Sequence, residues 1–354
     1  MKNEYFVIGL MSGTSLDGLD IAACKFNYNK QWNYQIIKAL TIKYPDELKH
    51  ELSNAFYSGD QQLTQLDDKY GNYLGTQLQE FILGLPEIPE LICSHGHTVF
   101  HRPADGITIQ IGSGKRIHEL VNIPVVNNFR QQDVLLGGQG APLVPLGDEI
   151  LFSNYDCCIN LGGFSNISWK SANKRLACDM SPCNILLNSI ASKLNLAFDK
   201  NGEISRSGTL IEELYIKWNQ IEFFNKKAPK SLGREWFENH YLNDLSESRF
   251  EPNDLLFTAT EHVAEQISKF IMSIGIENAN YLFTGGGAHN IYLMERLSHY
   301  FGQKLNPSED YQLIDFKEAI VFAFLGLLRI LGKINVLSSV TGAVKDHSAG
   351  DIWT

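Results

Sequence analysis

Alternation of apolar and polar positions predicts short strands at 5–10, 20–27, 34–42, 90–94 and 107–111, with another around 123–127. Between the third and fourth of these the period changes. Leu63, Leu66, Tyr70, Leu74, Leu78, Phe81 and Ile82 fall on one helical face, which predicts a helix over 60–84. The second half repeats the plan: a strand at 155–161 runs into Gly162-Gly163-Phe164-Ser165-Asn166, and the β pattern resumes at 167–169. Helical spacing follows at 183–196, 254–275, 289–299 and 315–332, with a strand-like 279–283 between two of them. Strands alternating with helices predict an α/β fold. A strand, a turn of glycine and hydroxyl residues, and a second strand open each half. Two related lobes are therefore expected, joined at the glycine-rich Gly137-Gly138-Gln139-Gly140-Ala141-Pro142. That places an N-terminal lobe at 1–140 and a C-terminal lobe at 141–354, with the last residues a candidate to return to the first.

Composition narrows the function classes. A chain of 354 residues with 44% hydrophobic content supports two cores of ordinary size. A formal charge of −10, with 30 Lys and Arg, gives no electrostatic footprint for nucleic acid or for an anionic membrane, so bound phosphate must be gripped locally. Cys24, Cys93, Cys157, Cys158, Cys178 and Cys183 form no CxxC pair, which points to reduced thiols. The longest apolar stretch, 319–328, is about half the ~20 residues a spanning helix needs, and the N-terminus does not read as a signal peptide. A cytoplasmic protein is expected.

Several stretches carry candidate chemistry. MSGTSLDGLD at 11–20 places two glycines beside hydroxyls and two aspartates, a pattern for a turn or for a backbone that approaches an anion. Gly13 and Gly18 have the spacing of a P-loop, but Leu19 and Asp20 stand where Lys and Ser or Thr are required. A hairpin from each lobe, at 13–20 and 162–166, would instead grip a polyphosphate through backbone N–H groups, with Asp17 or Asp20 holding Mg²⁺ through water. Thr284-Gly285-Gly286-Gly287-Ala288-His289-Asn290 follows a strand and opens a helix, where adenosine can approach closely; a plain tight turn is the alternative. His95 and His97, at i and i+2 on a strand, suggest a shared face and a metal, or else polar contact with a substrate. Asp179 reads either as a helix N-cap carboxylate, worth about 1 kcal/mol, or as a general base. Arg130 is a rim ion pair or a substrate clamp, and Glu318 interrupts an otherwise apolar run.

Taken together, MSGTSLDGLD, SHGHTVFH, VVNNFRQQDVLLGGQGAPLVP, INLGGFSNIS, DMSPCN, SLGREWF, TGGGAHN, DFKEAIVFA and VTGA, in that order, resemble the 1,6-anhydro-N-acetylmuramic acid kinases of the actin-like and sugar-kinase ATPase superfamily. The resemblance implies two actin-like, ribonuclease H-like lobes with ATP in the cleft between them. It also implies an enzyme of peptidoglycan recycling that opens the 1,6-anhydro bridge with water and transfers the γ-phosphoryl group to the O6 it frees. Asp179 matches the catalytic aspartate. Gly13, Thr14, Ser15, Leu16, Asp17, Gly18, Leu19 and Asp20 match the first phosphate loop, Gly162 and Gly163 the second, and Gly285, Gly286, Gly287 and Asn290 the adenosine turn. His97, Arg130, Asn184 and Glu318 are expected at the sugar. Mg²⁺ and a homodimer are implied on the same basis.

The chain departs from the family pattern at Asn128, His97, Met180, Ser181 and Cys183, while Asp179, Pro182 and Asn184 stay. The base is kept and preference among anhydro and amino sugars is open to change. Two other classes stand beside this one: a non-catalytic, nucleotide-switched binding protein, and a metal hydrolase built on His95 and His97.

Overall fold

The computed structural model describes every residue except Met1, Thr14, Ser15, Asn173, Glu247 and Ser248. Thr14 and Ser15, expected in the first phosphate loop, therefore lie outside the described residues. Backbone contacts divide the chain into two compact units, one of 1–153 with 316–354 and one of 154–315.

The first unit is built on a seven-stranded sheet. Its strands are β1 (Glu4–Ser12), β2 (Leu19–Asn29), β3 (Gln31–Ile42), β4 (Leu91–Arg102), β5 (Ile107–Ile111), β6 (Val125–Asn127) and the C-terminal Asp351–Trp353. β1, β2 and β3 form an antiparallel meander, and β4 and β6 extend it in parallel beyond β1. The C-terminal strand pairs antiparallel with β6, and Trp353 Nε1 donates to Asn127 Oδ1 at 2.9 Å. Helix Asp60–Leu83 buries Leu63, Tyr70, Leu74, Leu78 and Phe81, the face its spacing predicted, against a core that includes Ile8, Leu10, Ile21 and Ile92. Helix Tyr311–Ile330 lies close to the sheet from Phe316 onward. A Cβ on Gly9 would stand 1.8 Å from the Ala319 carbonyl oxygen, so only glycine fits β1 there.

The glycine-rich segment predicted a join at 140, but the contacts put 141–153 in the first unit. Helix Pro145–Ile150 is tied there by the buried pair Lys317 Nζ to Asp148 Oδ1 at 2.7 Å and by Gly147 packed on Val321. Long-range packing, rather than local chain flexibility, fixes the boundary.

The second unit repeats the plan with β7 (Cys157–Leu161), β8 (Phe164–Ser171), β9 (Lys174–Pro182) and β10 (Tyr281–Thr284). β7, β8 and β9 are an antiparallel meander, and β10 extends it in parallel beyond β7. Each unit thus opens with a hairpin whose turn carries the glycines. Helix Pro252–Ser273 supplies Leu255, Ala259, Val263, Ile267 and Ile271 to the core. All six cysteines are buried free thiols. Among the described residues no helix is long and apolar enough to cross a membrane.

Candidate active site

The first glycine turn, between β1 and β2, is laid against the end of β3. A Cβ on Gly18 would meet the Ile42 carbonyl oxygen and the Thr41 methyl, both at 2.7 Å. Leu16 takes a left-handed φ of 56°, is buried, and donates its N–H to the Gly13 carbonyl at 3.2 Å. Leu19 pairs across the hairpin with Ser12. Of the two aspartates, Asp17 is exposed on the turn. Asp20 sits on β2, where one oxygen accepts from the Thr41 hydroxyl at 2.6 Å. Oxygen-only donors of this kind suit a hard cation held through water. Among the described residues no three His, Cys, Asp or Glu converge on a metal position.

The second turn lies between β7 and β8 and is fastened by the start of helix Asn184–Ala191. The N–H groups of Cys183 and Ile185 donate to the Gly163 carbonyl at 2.9 and 3.1 Å, and that of Asn184 donates to Gly162 at 3.0 Å. The space a Cβ of Gly163 would enter is open. Asn184 also donates from its side chain to the Leu161 carbonyl at 2.9 Å. A Cβ on Gly287 would meet Asn184 Oδ1 at 3.2 Å. Asn184 therefore joins the second hairpin to the glycine turn at 285–290. In that turn Gly285 has φ 81°, and a Cβ would lie 2.2 Å from Asn160 Oδ1 and 2.9 Å from the Leu161 carbonyl carbon. Gly286 and Gly287 begin a short 3₁₀ turn. Asn290 caps helix Ile291–Phe301 by accepting from the Leu293 N–H at 3.0 Å.

Asp179 lies inside β9, so it caps no helix; the N-cap position before Asn184 is Cys183. Its backbone N–H donates to the Lys230 carbonyl at 3.0 Å, and its Oδ2 accepts from the Leu232 N–H at 2.7 Å. Burial raises its pKa to about 6, against the lowering by the Leu232 N–H and the Lys230 ammonium. Such a carboxyl is ionised at neutral pH yet basic enough to take a proton from water.

In the first unit, β4 and its neighbours gather His95, His97, Arg130 and Glu318. Gly96, with φ 73°, carries a bulge, so the two histidines do not act as a metal-binding pair. His95 Nε2 accepts from Arg130 Nε at 3.0 Å and Nη2 at 2.8 Å, which puts the ring hydrogen on Nδ1, where it donates to the Gly96 carbonyl at 2.9 Å. Arg130 Nη1 donates to the Gly140 carbonyl at 2.7 Å. Burial lowers the Arg130 pKa to about 10, countered by the charges of Glu318 and Asp133. Burial raises that of Glu318, and the Arg130 charge opposes it. His97 is buried, with its pKa pushed down to about 4 by burial, so its ring is neutral.

The roles of several supporting residues do not show in the sequence, although Asp133 stands out there as the charged neighbour of Arg130. The buried Asp133 carboxylate accepts from the Gly140 N–H at 2.7 Å and from the Thr341 hydroxyl at 2.7 Å, and so holds the carbonyl that Arg130 uses. Lys230 and Leu232 hold Asp179 from a segment with no strong periodicity. The available signals were whole stretches rather than single residues: SLGREWF contains Leu232, FRQQD contains Asp133 and VTGA contains Thr341.

The family model described as anhydro-N-acetylmuramic acid kinase matches residues 5–354. A protein named anhydro-N-acetylmuramic acid kinase from Gloeothece citriformis is 34% identical over 384 residues, covering 98% of each chain. One of the same name from Pseudomonas savastanoi pv. phaseolicola is 34% identical over 367 residues, covering 99% of each. Solved structures that align with most of the chain include the activator of 2-hydroxyisocaproyl-CoA dehydratase from Clostridium difficile with bound ADPNP. Its TM-score is 0.42 at 14% identity, covering 89% of this chain and 96% of that one. A ROK family glucokinase from Streptomyces griseus in complex with glucose and AMPPNP has a TM-score of 0.41 at 12% identity, covering 90% and 98%.

Proposed function

Because the chain belongs to the anhydro-N-acetylmuramic acid kinase family, we propose that Asp179 activates the water that opens the 1,6-anhydro ring, and that the freed O6 takes the γ-phosphoryl group of ATP. The products are N-acetylmuramic acid 6-phosphate and ADP, which return a cell-wall fragment to amino-sugar metabolism. The observation that carries the assignment is the Asp179 carboxyl. It is held by the Leu232 N–H and raised to about 6, a basicity that suits proton removal near neutral pH.

Water adds its oxygen to C1 and gives a proton to Asp179 while the C1–O6 bond breaks. O6 leaves with the bond's electron pair and attacks phosphorus, and the β–γ bridging oxygen departs with ADP. Phosphoryl transfer asks mainly for position and charge stabilisation, which the two glycine hairpins supply through backbone N–H groups. The turn at 285–290, whose glycines let it pack against Asn160 and Leu161 at the end of β7, receives the adenosine. Arg130, fixed by His95 and Gly140, and the neutral His97 bind the sugar, with Glu318 beside Arg130. Asn184 serves by holding the second hairpin to the adenosine turn. Mg²⁺ held through water by Asp17 or Asp20 would neutralise charge on the polyphosphate. We assign the enzyme to the cytoplasm, as a homodimer.

The test is ADP release with Mg-ATP and 1,6-anhydro-N-acetylmuramic acid, beside N-acetylmuramic acid and no sugar. Turnover with the anhydro sugar is expected. Turnover with the open sugar alone would make the protein a conventional hexosamine kinase, and sugar-independent hydrolysis would favour a nucleotide switch.

A further inference from the structure

At the end of β1, Ser12 lies directly across from His97 on β4, because the bulge at Gly96 shifts the register between Leu10 and Ser12. Ser12 Oγ is 3.2 Å from His97 Nδ1. The Tyr44 hydroxyl donates to the same Ser12 oxygen at 2.7 Å, and the Tyr70 hydroxyl lies 2.8 Å from that of Tyr44. All four side chains are buried: Ser12 2%, Tyr44 7%, Tyr70 0% and His97 4% exposed. Burial pushes the Tyr44 pKa up to about 12 and that of Tyr70 well above the usual range, so both phenols keep their hydrogens.

A hydroxyl has one hydrogen to give. With Tyr70 donating to Tyr44 and Tyr44 to Ser12, the Ser12 hydrogen is left for His97 Nδ1. This sense leaves each buried hydroxyl hydrogen with an acceptor, as buried polar groups require. The His97 hydrogen must then sit on Nε2, which makes no hydrogen bond among the described residues. We infer that Tyr70, Tyr44 and Ser12 are positioning residues that hold His97 in its Nε2–H form, and that this N–H donates to an uncharged acceptor oxygen of the anhydro sugar. The inference rests on the sugar-kinase reading for its ligand, though not for its tautomer. A neutral ring suits an acetamido, ether or hydroxyl oxygen better than a polyphosphate, which draws cations.

Two measurements test it. In ligand-free, ¹⁵N-labelled protein near pH 7, the imidazole signal that disappears in His97→Gln should show its hydrogen on Nε2, and Ser12→Ala should weaken that preference. A hydrogen on Nδ1 in the unaltered protein overturns the inference without reference to activity. In the kinase assay, His97→Gln keeps an N–H donor and His97→Leu does not. KM for the anhydro sugar should be about tenfold higher in the leucine variant than in the glutamine variant, with KM for ATP moving less than about twofold in both. Equal impairment of the two variants, or a rise in KM for ATP instead, overturns the assigned ligand. Absence of any turnover on the anhydro sugar in the unaltered protein defeats the functional reading and the ligand with it, whichever tautomer is found.

Discussion

Replacing Asp179 with asparagine should abolish turnover and stabilise the protein at the same time. The carboxyl titrates near pH 6 in the folded chain, against an ordinary 3.8. Folding therefore favours the protonated form, and the ionised form carries a cost that is absent below about pH 3.8 and complete above about pH 6. The difference between 3.8 and about 6 corresponds to a ceiling of roughly 3 kcal/mol. Partial exposure of Asp179 reduces this to about 1–2 kcal/mol of expected gain. Asparagine keeps an oxygen for the Leu232 N–H, so that hydrogen bond survives. The assay is denaturant unfolding followed by the fluorescence of Trp169, Trp218 and Trp236, all in the second unit, for both proteins between pH 4 and pH 8. The variant should gain stability over the parent as pH rises from 4 to 6, then hold a constant lead. A variant less stable than the parent by the same margin at every pH would refute the raised pKa and, with it, the basicity assigned to Asp179.

Other perturbations follow from the same geometry. Arg130→Lys loses the fork that reaches His95 and Gly140 together, and kcat/KM for the sugar should fall by about 30-fold, or roughly 2 kcal/mol, with an unchanged far-UV spectrum. Gly285→Ala forces a Cβ onto Asn160 at a φ of 81°, so KM for ATP should rise at least about tenfold and the second unit should lose about 2–3 kcal/mol in denaturant unfolding. Asp133→Asn replaces an acceptor of two buried donors, and thermal unfolding should show a loss of about 2 kcal/mol, with Arg130-dependent sugar affinity weakened beside it.

The hairpins and the helix at 60–84 were legible because each carries a strong local signal: glycines at a turn, or a 3.6-residue period. The structure places β1, β2 and β10 within a few residues of the predicted strands. What sequence could not supply is pairing at a distance. β9, which bears Asp179, was missed because Lys174, Arg175 and Asp179 interrupt its alternation, and Arg175 is buried against Ser168. The C-terminal strand of three residues is too short to show a period, and only its pairing with β6 defines it. The expected common face of His95 and His97 failed at one residue, because Gly96 adopts a left-handed φ and breaks the alternation. Arg130 stood out by charge, but its partners lie 35 positions upstream and 10 downstream, which no local window joins.

The most direct test of the coupled reaction is turnover of 1,6-anhydro-N-acetylmuramic acid in H₂¹⁸O, with mass analysis of the products. One ¹⁸O in the sugar phosphate, carried on the anomeric carbon, with none in its phosphoryl group or in ADP, is the predicted result. It should disappear, together with ADP release, in Asp179→Asn. Label in the phosphoryl group, or unlabelled sugar phosphate, would contradict a water that opens the ring while O6 takes the phosphoryl group.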